Sequence, residues 1–350
     1  MDIFGKVQSI KYEHTFETKK FTEYNLSNLK EAFGKNSVFL LNVDDINKFA
    51  VSWWVSAKRT RSYPYARVYN TLAYAGKRVT VIPVYKDEGK DGDRDFLQWD
   101  TISLMSLLGV NVIIAYYESA EKSEKYKNKI TRQRFNIEYI SSEIKRLISY
   151  QSDPLHWNLE QVDNIVSLSQ KAVEAYKKIS DKAGVIMHSE KNITDKINFL
   201  MQNKEIFKFS SRKLSSEAQK REKITTQPKE NINYGEKATV TIKNYLGGYY
   251  YFTADEARIE DDILYIIEAK HSSSAGIPSV DDIKDGLIKM ILFSNLKKAK
   301  VQGKEYEVIP VLKLTGRNKN LTVTQSNILN LLKKEAETNK FFINYKGGDI

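Results

Sequence analysis

Within residues 253–271, TADEARIEDDILYIIEAKH, three side chains have the types and spacing of a site for a charged substrate: Asp255, Glu268 and Lys270. The apolar run ILYII leads straight into Glu268, so this acid ends a strand with a largely apolar face. If Asp261 and Asp262 form the tip of a hairpin, Asp255 falls opposite Glu268. Side chains alternate with period two, so Asp255, Ala257, Ile259, Leu264, Ile266, Glu268 and Lys270 then share one surface. Opposed Cβ atoms lie roughly 4.5–5.5 Å apart, which lets two carboxylates grip one hydrated Mg²⁺. Such an ion polarises a phosphoryl oxygen and delivers a hydroxide. The Lys270 ammonium would orient the water or neutralise charge developing in the transition state. A three-residue turn would instead slip the pairing by one and send Asp255 to the opposite face. The competing reading is an ordinary hairpin with a solvated acidic tip and a surface Glu268–Lys270 pair.

The elements needed to hold that surface are legible around it. KATVTIKNYL, YYYFTADEARIE and DILYIIEAKHS read as three strands, followed by a helix over 279–297 and a strand at YEVIPVLKLT. Ser279 is placed to cap the helix with Asp282 at its third position, and Val280, Ile283, Leu287, Met290, Ile291 and Ser294 form one face to lie on a sheet. A helix over 324–337 and a short FFINY strand close the chain.

Asp255, with Glu268-Ala269-Lys270 after it in this order of elements, resembles the PD-(D/E)XK nuclease signature over about residues 236–315, with Ala254 in place of the usual Pro. Size, basic charge and the EAKH sequence most resemble type II restriction endonucleases. The resemblance implies an α/β protein with a restriction-endonuclease-like mixed sheet flanked by helices, carrying an N-terminal α/β and helical region. It implies that Asp255, Glu268 and the Ala269 carbonyl bind Mg²⁺, that Lys270 is the catalytic lysine, and that Glu236 is a possible extra acid. Glu256, Glu260, Asp261 and Asp262 compete with Asp255 for the place of the first carboxylate. The implied reaction is Mg²⁺-dependent hydrolysis of double-stranded DNA at a specific sequence. A homodimer would match a palindromic site, and a partner methyltransferase would protect host DNA.

The first two hundred residues fall outside the resemblance. Residues 38–117 alternate apolar segments and turns in an α/β manner, residues 121–214 are dominated by helical periodicity, and residues 210–233 turn polar and charged like a linker. The expected division is 1–120, an N-terminal α/β region for DNA recognition; 121–225, helical region and basic linker; and 226–350, the catalytic core. DNA contacts are expected first from SWWVSAKRTRSYPYARVYNTL, at Lys58, Arg59, Arg61, Tyr63, Tyr65 and Arg67 beside Trp53 and Trp54. A second candidate is the basic arm of Arg212, Lys213, Lys220, Arg221 and Lys223, and a third is the turn at 315–320. KDEGKDGDRD at 86–95 imitates the opening of a calcium loop, but the twelfth position is Ile102 rather than Glu, so it reads as a solvated loop.

Composition narrows the classes. The 350 residues carry 55 Lys and Arg against 44 Asp and Glu, a net charge of +11 that favours a polyanionic partner. With no Cys, thiolate catalysis and Cys-based metal sites are excluded, and four scattered His, at 14, 156, 188 and 271, argue against an HNH or zinc nuclease. No P-loop motif is present, so no ATP-driven motor is encoded. The start lacks the apolar stretch of a signal peptide and no apolar run is long enough to span a bilayer, so a soluble, cytoplasmic protein with no membrane partner is expected. The rival readings are a repair, nicking or modification-dependent nuclease, and a non-catalytic nucleic-acid-binding protein.

Overall fold

A computed structural model describes residues 1–16, 20–57, 64–189, 236–244, 249–317 and 320–349. The fold is mixed α/β, and the chain divides into two units, residues 21–211 and residues 1–20 with 212–350. This replaces the expected boundaries at 120 and 225, for two physical reasons. The first strand, β1 (Asp2–Val7), alternates exposed and buried residues and lies in the sheet of the C-terminal part, paired in parallel with residues 239–244. The helices expected to form a separate middle region instead pack on the N-terminal sheet.

That sheet occupies the unit of residues 21–211. Its elements are β2 (Glu23–Asn25), α1 (Leu29–Lys35), β3 (Val38–Asn42), β4 (Lys48–Trp53), α2 (Pro64–Leu72), β5 (Lys77–Pro83), β6 (Tyr85–Asp87), β7 (Arg94–Phe96), α3 (Trp99–Leu107), β8 (Asn111–Ala115), β9 (Tyr117–Lys122), β10 (Ile130–Phe135), α4 (Ile137–Ile148), α5 (Pro154–Asp163) and α6 (Ile165–Ala183). The strand order is β2-β3-β4-β5-β8, with β4, β5 and β8 parallel. β8 is buried along its whole length, as strands covered on both faces are.

As the last strand of its sheet, β8 would leave an edge of unpaired backbone groups. Side chains of α5 supply the partners: Val112 N–H donates to Asn158 Oδ1 at 2.6 Å and Ile114 N–H to Gln161 Oε1 at 3.1 Å. The Asn158 amide donates in turn to the Val110 carbonyl at 3.0 Å, and Trp157 Nε1–H to the Val112 carbonyl at 2.7 Å. Asn158→Ala strands buried backbone groups and is expected to lower stability by about 1–3 kcal/mol, read as a shift in urea midpoint at unchanged slope. A midpoint that does not move contradicts this account of the edge.

The segment at 86–95, expected as a solvated loop, is a hairpin of β6 and β7. Its Asp91 and Asp93 are exposed, but Asp87 and Asp95 are 1% and 2% exposed.

The other unit continues with β11 (Glu236–Asn244), β12 (Tyr249–Glu260), β13 (Ile263–Ser272), α7 (Val280–Ser294), β14 (Lys297–Val301), β15 (Lys304–Gly316), α8 (Val323–Asn339), β16 (Phe342–Tyr345) and β17 (Gly348–Asp349). Its eight-stranded mixed sheet has the order β13-β12-β11-β1-β14-β15-β16-β17, and β13 also pairs with β15. The first six of these strands therefore form a closed circuit of pairings. β11, β12 and β13 are an antiparallel meander, after which the chain passes through α7 and β14 to β15, which lies parallel to β13. α7 starts as its sequence indicates, with Ser279 Oγ accepting from the Asp282 N–H at 3.1 Å. Its Ile283, Leu287, Met290 and Ile291 are wholly buried, as are Leu264 and Ile266 of β13 and Leu312 and Leu314 of β15. No helix among the described residues is long and apolar enough to cross a membrane.

Candidate active site

The β12–β13 hairpin turns at Asp261 and Asp262, with Asp261 in the left-handed region at φ 52°, a conformation Asp tolerates better than most residues. The pairs run from Glu260↔Ile263 to Glu256↔Ile267, the register expected from a two-residue tip. On the far side of β12 the pairing with β11 shifts between Glu236↔Ala257 and Ala238↔Ala254. One extra residue in β12 makes a bulge there, and the inward parity changes across it. Phe252, Thr253 and Ala254 are all buried before the bulge, as are Glu256 and Ala257 at and beyond it.

Asp255 sits in this bulge and is half-buried. The β12–β13 ladder stops one pair short of it, and its carboxylate replaces the missing backbone acceptor: the Ala269 N–H donates to Asp255 Oδ2 at 2.7 Å. The side chain of the first acid is thus locked to the strand carrying Glu268 and Lys270. The competing acids lie elsewhere. Glu256 is buried against Lys313, 3.5 Å away, Glu260 pairs with Arg258, and Asp262 is 84% exposed beside Lys304.

Glu268 is 2% exposed, and both of its oxygens are held by ammonium groups. Lys270 Nζ lies 3.0 Å from Oε1, and Lys289 Nζ, from α7, lies 2.7 Å from Oε2. Lys289 also donates to the Thr253 carbonyl at 3.1 Å, and Lys270 pairs with Asp285 of α7 at 2.8 Å. Gly286 makes this approach possible, since a Cβ there would stand 2.8 Å from Leu312 Cδ1 and 3.4 Å from Lys270 Cε. Asp285 and Lys289 escaped the sequence reading. Their signal was a pair of opposite charges four residues apart in this helix, a spacing that puts both on one face.

Burial works against every charge in the cluster, and the partners outweigh it. Burial pushes the Glu268 carboxyl up, but the charges and hydrogen bonds of Lys289 and Lys270 hold it below the ordinary carboxylate range. Burial pulls Lys270 down, yet Glu268 and Asp285 carry it far above the ordinary lysine value. Lys289 is raised as well, chiefly by Glu268 against its own burial. Lys270 is therefore an ammonium at neutral pH and cannot take a proton from water; what it offers is positive charge. A lowered carboxylate stabilises the fold above its ordinary value and loses that contribution on acidification, whereas a raised ammonium stabilises it below its ordinary value and loses that contribution in alkali. The stability difference between the unaltered chain and a Glu268→Gln variant is thus expected to shrink on acidification below 4.5, where Glu268 loses its charge in the unaltered chain. Urea unfolding at stepped pH measures it, and a difference that does not shrink on acidification contradicts the assignment.

The other expected site residues are not among the partners of these side chains or lie outside the described residues. Glu236 opens β11, is 66% exposed and pairs with the N-terminal amine. Among the aromatic-basic candidates, Tyr65 is a correction: at 5% exposure it packs edge-on against Trp54 in the core and is no platform for a base. Arg67 is half-buried, donates to the Trp53 carbonyl at 2.7 Å and lies over the Trp53 ring. Lys58, Arg59, Arg61 and Tyr63 lie outside the described residues, as do Arg212, Lys213, Lys220, Arg221 and Lys223.

No match was found among protein-family models, curated proteins or solved structures. The chemistry must therefore be read from the side chains. No group of three or more His, Asp or Glu that could hold a metal converges among the described residues. Mg²⁺ commonly needs only one or two carboxylates, with water and substrate completing its shell. Asp255 and Glu268, joined through the Ala269 N–H on adjacent strands, are hard oxygen donors of that kind. The donor chemistry fits Mg²⁺, on condition that an ammonium group yields its place on Glu268.

Proposed function

We propose that the unit of residues 1–20 and 212–350 is a PD-(D/E)XK-type nuclease core and that the chain is a type II restriction endonuclease, hydrolysing phosphodiesters of double-stranded DNA with Mg²⁺. The observation that carries the reading is one arrangement. An antiparallel meander is followed by a helix and a strand parallel to its last member, with Asp255 fixed on the Ala269 N–H and the Glu268–Lys270 pair on the face that the helix covers. Asp255, Glu268 and the Ala269 carbonyl would hold Mg²⁺, which when bound supplies Lewis-acid polarisation of the phosphate and an activated water. The protein's own groups do the rest. Glu268, buried and ionised, fixes Lys270 and Lys289, and Lys270 presents positive charge to the developing phosphorane. The net charge of +11 suits DNA, and two copies of the chain would serve the two strands of a palindromic site.

One observation favours a second reading, a nucleic-acid-binding protein without catalysis: both Glu268 oxygens already have ammonium partners, as in a structural ion-pair cluster. Digestion of unmethylated and methylated phage DNA in Mg²⁺ separates the readings. Discrete fragments from unmethylated DNA support the restriction enzyme, fragments from methylated DNA alone a modification-dependent nuclease, and intact DNA with a gel shift the binding protein.

A further inference from the structure

The first strand carries an exposed phenylalanine and an exposed lysine two residues apart, and its neighbours continue the pattern. In β1, β11 and β14, Ile3, Val7, Val240, Ile242, Ala299 and Val301 are buried, while Phe4, Lys6, Lys243, Lys298 and Lys300 are exposed. Alternation with period two therefore puts the aromatic and the lysines on one outward face. A groove of about 360 Å³ lies there, walled by Phe4, Lys6, Thr241, Lys243, Lys298 and Lys300 over the Gly5 backbone. No carboxylate lines it.

Pairing concentrates the charge. β1 lies between the other two strands, so Phe4 stands beside Thr241 and Lys300, and Lys6 beside Lys243 and Lys297. Lys243, Lys6 and Lys297 thus make a row of ammonium groups across three strands, although like charges on facing residues repel. A bulge adds another. Between Phe4↔Lys300 and Lys6↔Lys297 the register shifts, and Lys298 sits there at φ 52°, a left-handed conformation that is unfavourable for lysine. Lys297 and Lys298 are both exposed, as a bulge that re-aims a side chain allows. Little in the chain offsets these charges. Lys6, Lys298 and Lys300 have no ion-pair partner among the described residues. Asp2 accepts from Thr239 Oγ1 at 2.6 Å, and Glu305, opposite Lys300 on β15, makes no ion pair with it. A strained and mutually repelling set of cations gains most from a polyanion laid across it.

We propose that this face binds a single strand of nucleic acid, with a base stacked on Phe4 and the neighbouring phosphates held by Lys6, Lys243, Lys298 and Lys300. Phe4, 58% exposed among the lysines, decides for a single strand. In a duplex the flat faces of the bases are covered by one another, whereas a basic groove with an open aromatic ring matches the needs of an unpaired strand. The inference does not rest on the cleavage reading: none of these residues belongs to the Glu268 cluster, and binding is measured in EDTA.

The test is fluorescence anisotropy of the full chain with a labelled thymidine oligomer of about twelve nucleotides, beside a duplex of the same length. Phe4→Ala is expected to weaken single-strand binding about fivefold to a hundredfold and to leave duplex binding unchanged. Phe4→Trp, which keeps a stacking face, is expected to retain the strand. Replacing Lys298 and Lys300 together by Gln is expected to lower the slope of log affinity against log salt by about 1.4, the share of two phosphate contacts. No single-strand binding by the unaltered chain, or binding unmoved by Phe4→Ala, overturns the proposal. Equal losses for strand and duplex overturn the assignment to a single strand. The substituted side chains are exposed, and the urea midpoint of each variant checks its fold. Should Phe4→Ala not fold, the lysine pair decides: a salt slope that stays unchanged overturns the proposal.

Discussion

Glu268→Gln is expected to cost about 3–5 kcal/mol of stability as well as DNA cleavage, because it removes the negative charge between two buried ammonium groups. Loss of activity in this variant alone would say little, since a partly unfolded enzyme also fails to cut. Adding Lys289→Met removes one orphaned charge with a side chain of similar volume and is expected to recover much of the lost stability. If the double variant regains its urea midpoint and still does not cleave, the carboxylate itself is required. A single variant as stable as the unaltered chain would contradict the picture of Glu268 as the charge that holds Lys270 and Lys289 in place.

Asp255→Asn should behave in the opposite way. The Asn side-chain oxygen can still accept from the Ala269 N–H, so the contact that fixes residue 255 to β13 survives, while the negative charge is lost. Stability is expected to change by less than about 1 kcal/mol. Cleavage is expected to fall by about a hundredfold or more, the order of effect of removing one aimed electrostatic group, with DNA affinity in a gel shift retained. An Asp255→Asn protein that cleaves normally would move the first acid elsewhere, and one that unfolds would make Asp255 a structural residue.

The contrast between these two acids shows which parts of the site a sequence can carry. Register was legible because a two-residue tip and period-two alternation leave one consistent pairing, from Glu260↔Ile263 to Glu256↔Ile267. The helix cap at Ser279 was legible because it is local. The bulge that changes parity at Asp255 was not, since it depends on how β12 meets β11. Lys289 and Asp285 were hidden for a related reason: on a helix read by its apolar face, charges look like the solvent side until a strand with Glu268 and Lys270 is laid against them. Longer-range pairings left no local trace. β1 finds its place beside β11 across most of the chain, and nothing in its few residues points there. Tyr65 and the segment 86–95 failed in opposite directions. An aromatic in a basic run looked like a base platform but filled the core beside Trp54, and an acidic run looked solvated but buried Asp87 and Asp95.

Strand scission of a supercoiled, unmethylated plasmid by the full chain, in Mg²⁺ and in EDTA, tests the central claim most directly. Conversion to linear fragments of discrete length in Mg²⁺, none in EDTA, and none with Asp255→Asn under the same conditions is the expected result. A plasmid left supercoiled in Mg²⁺ while the protein shifts it in a gel would contradict the claim and leave the Glu268 cluster as an ion-pair core of a binding protein.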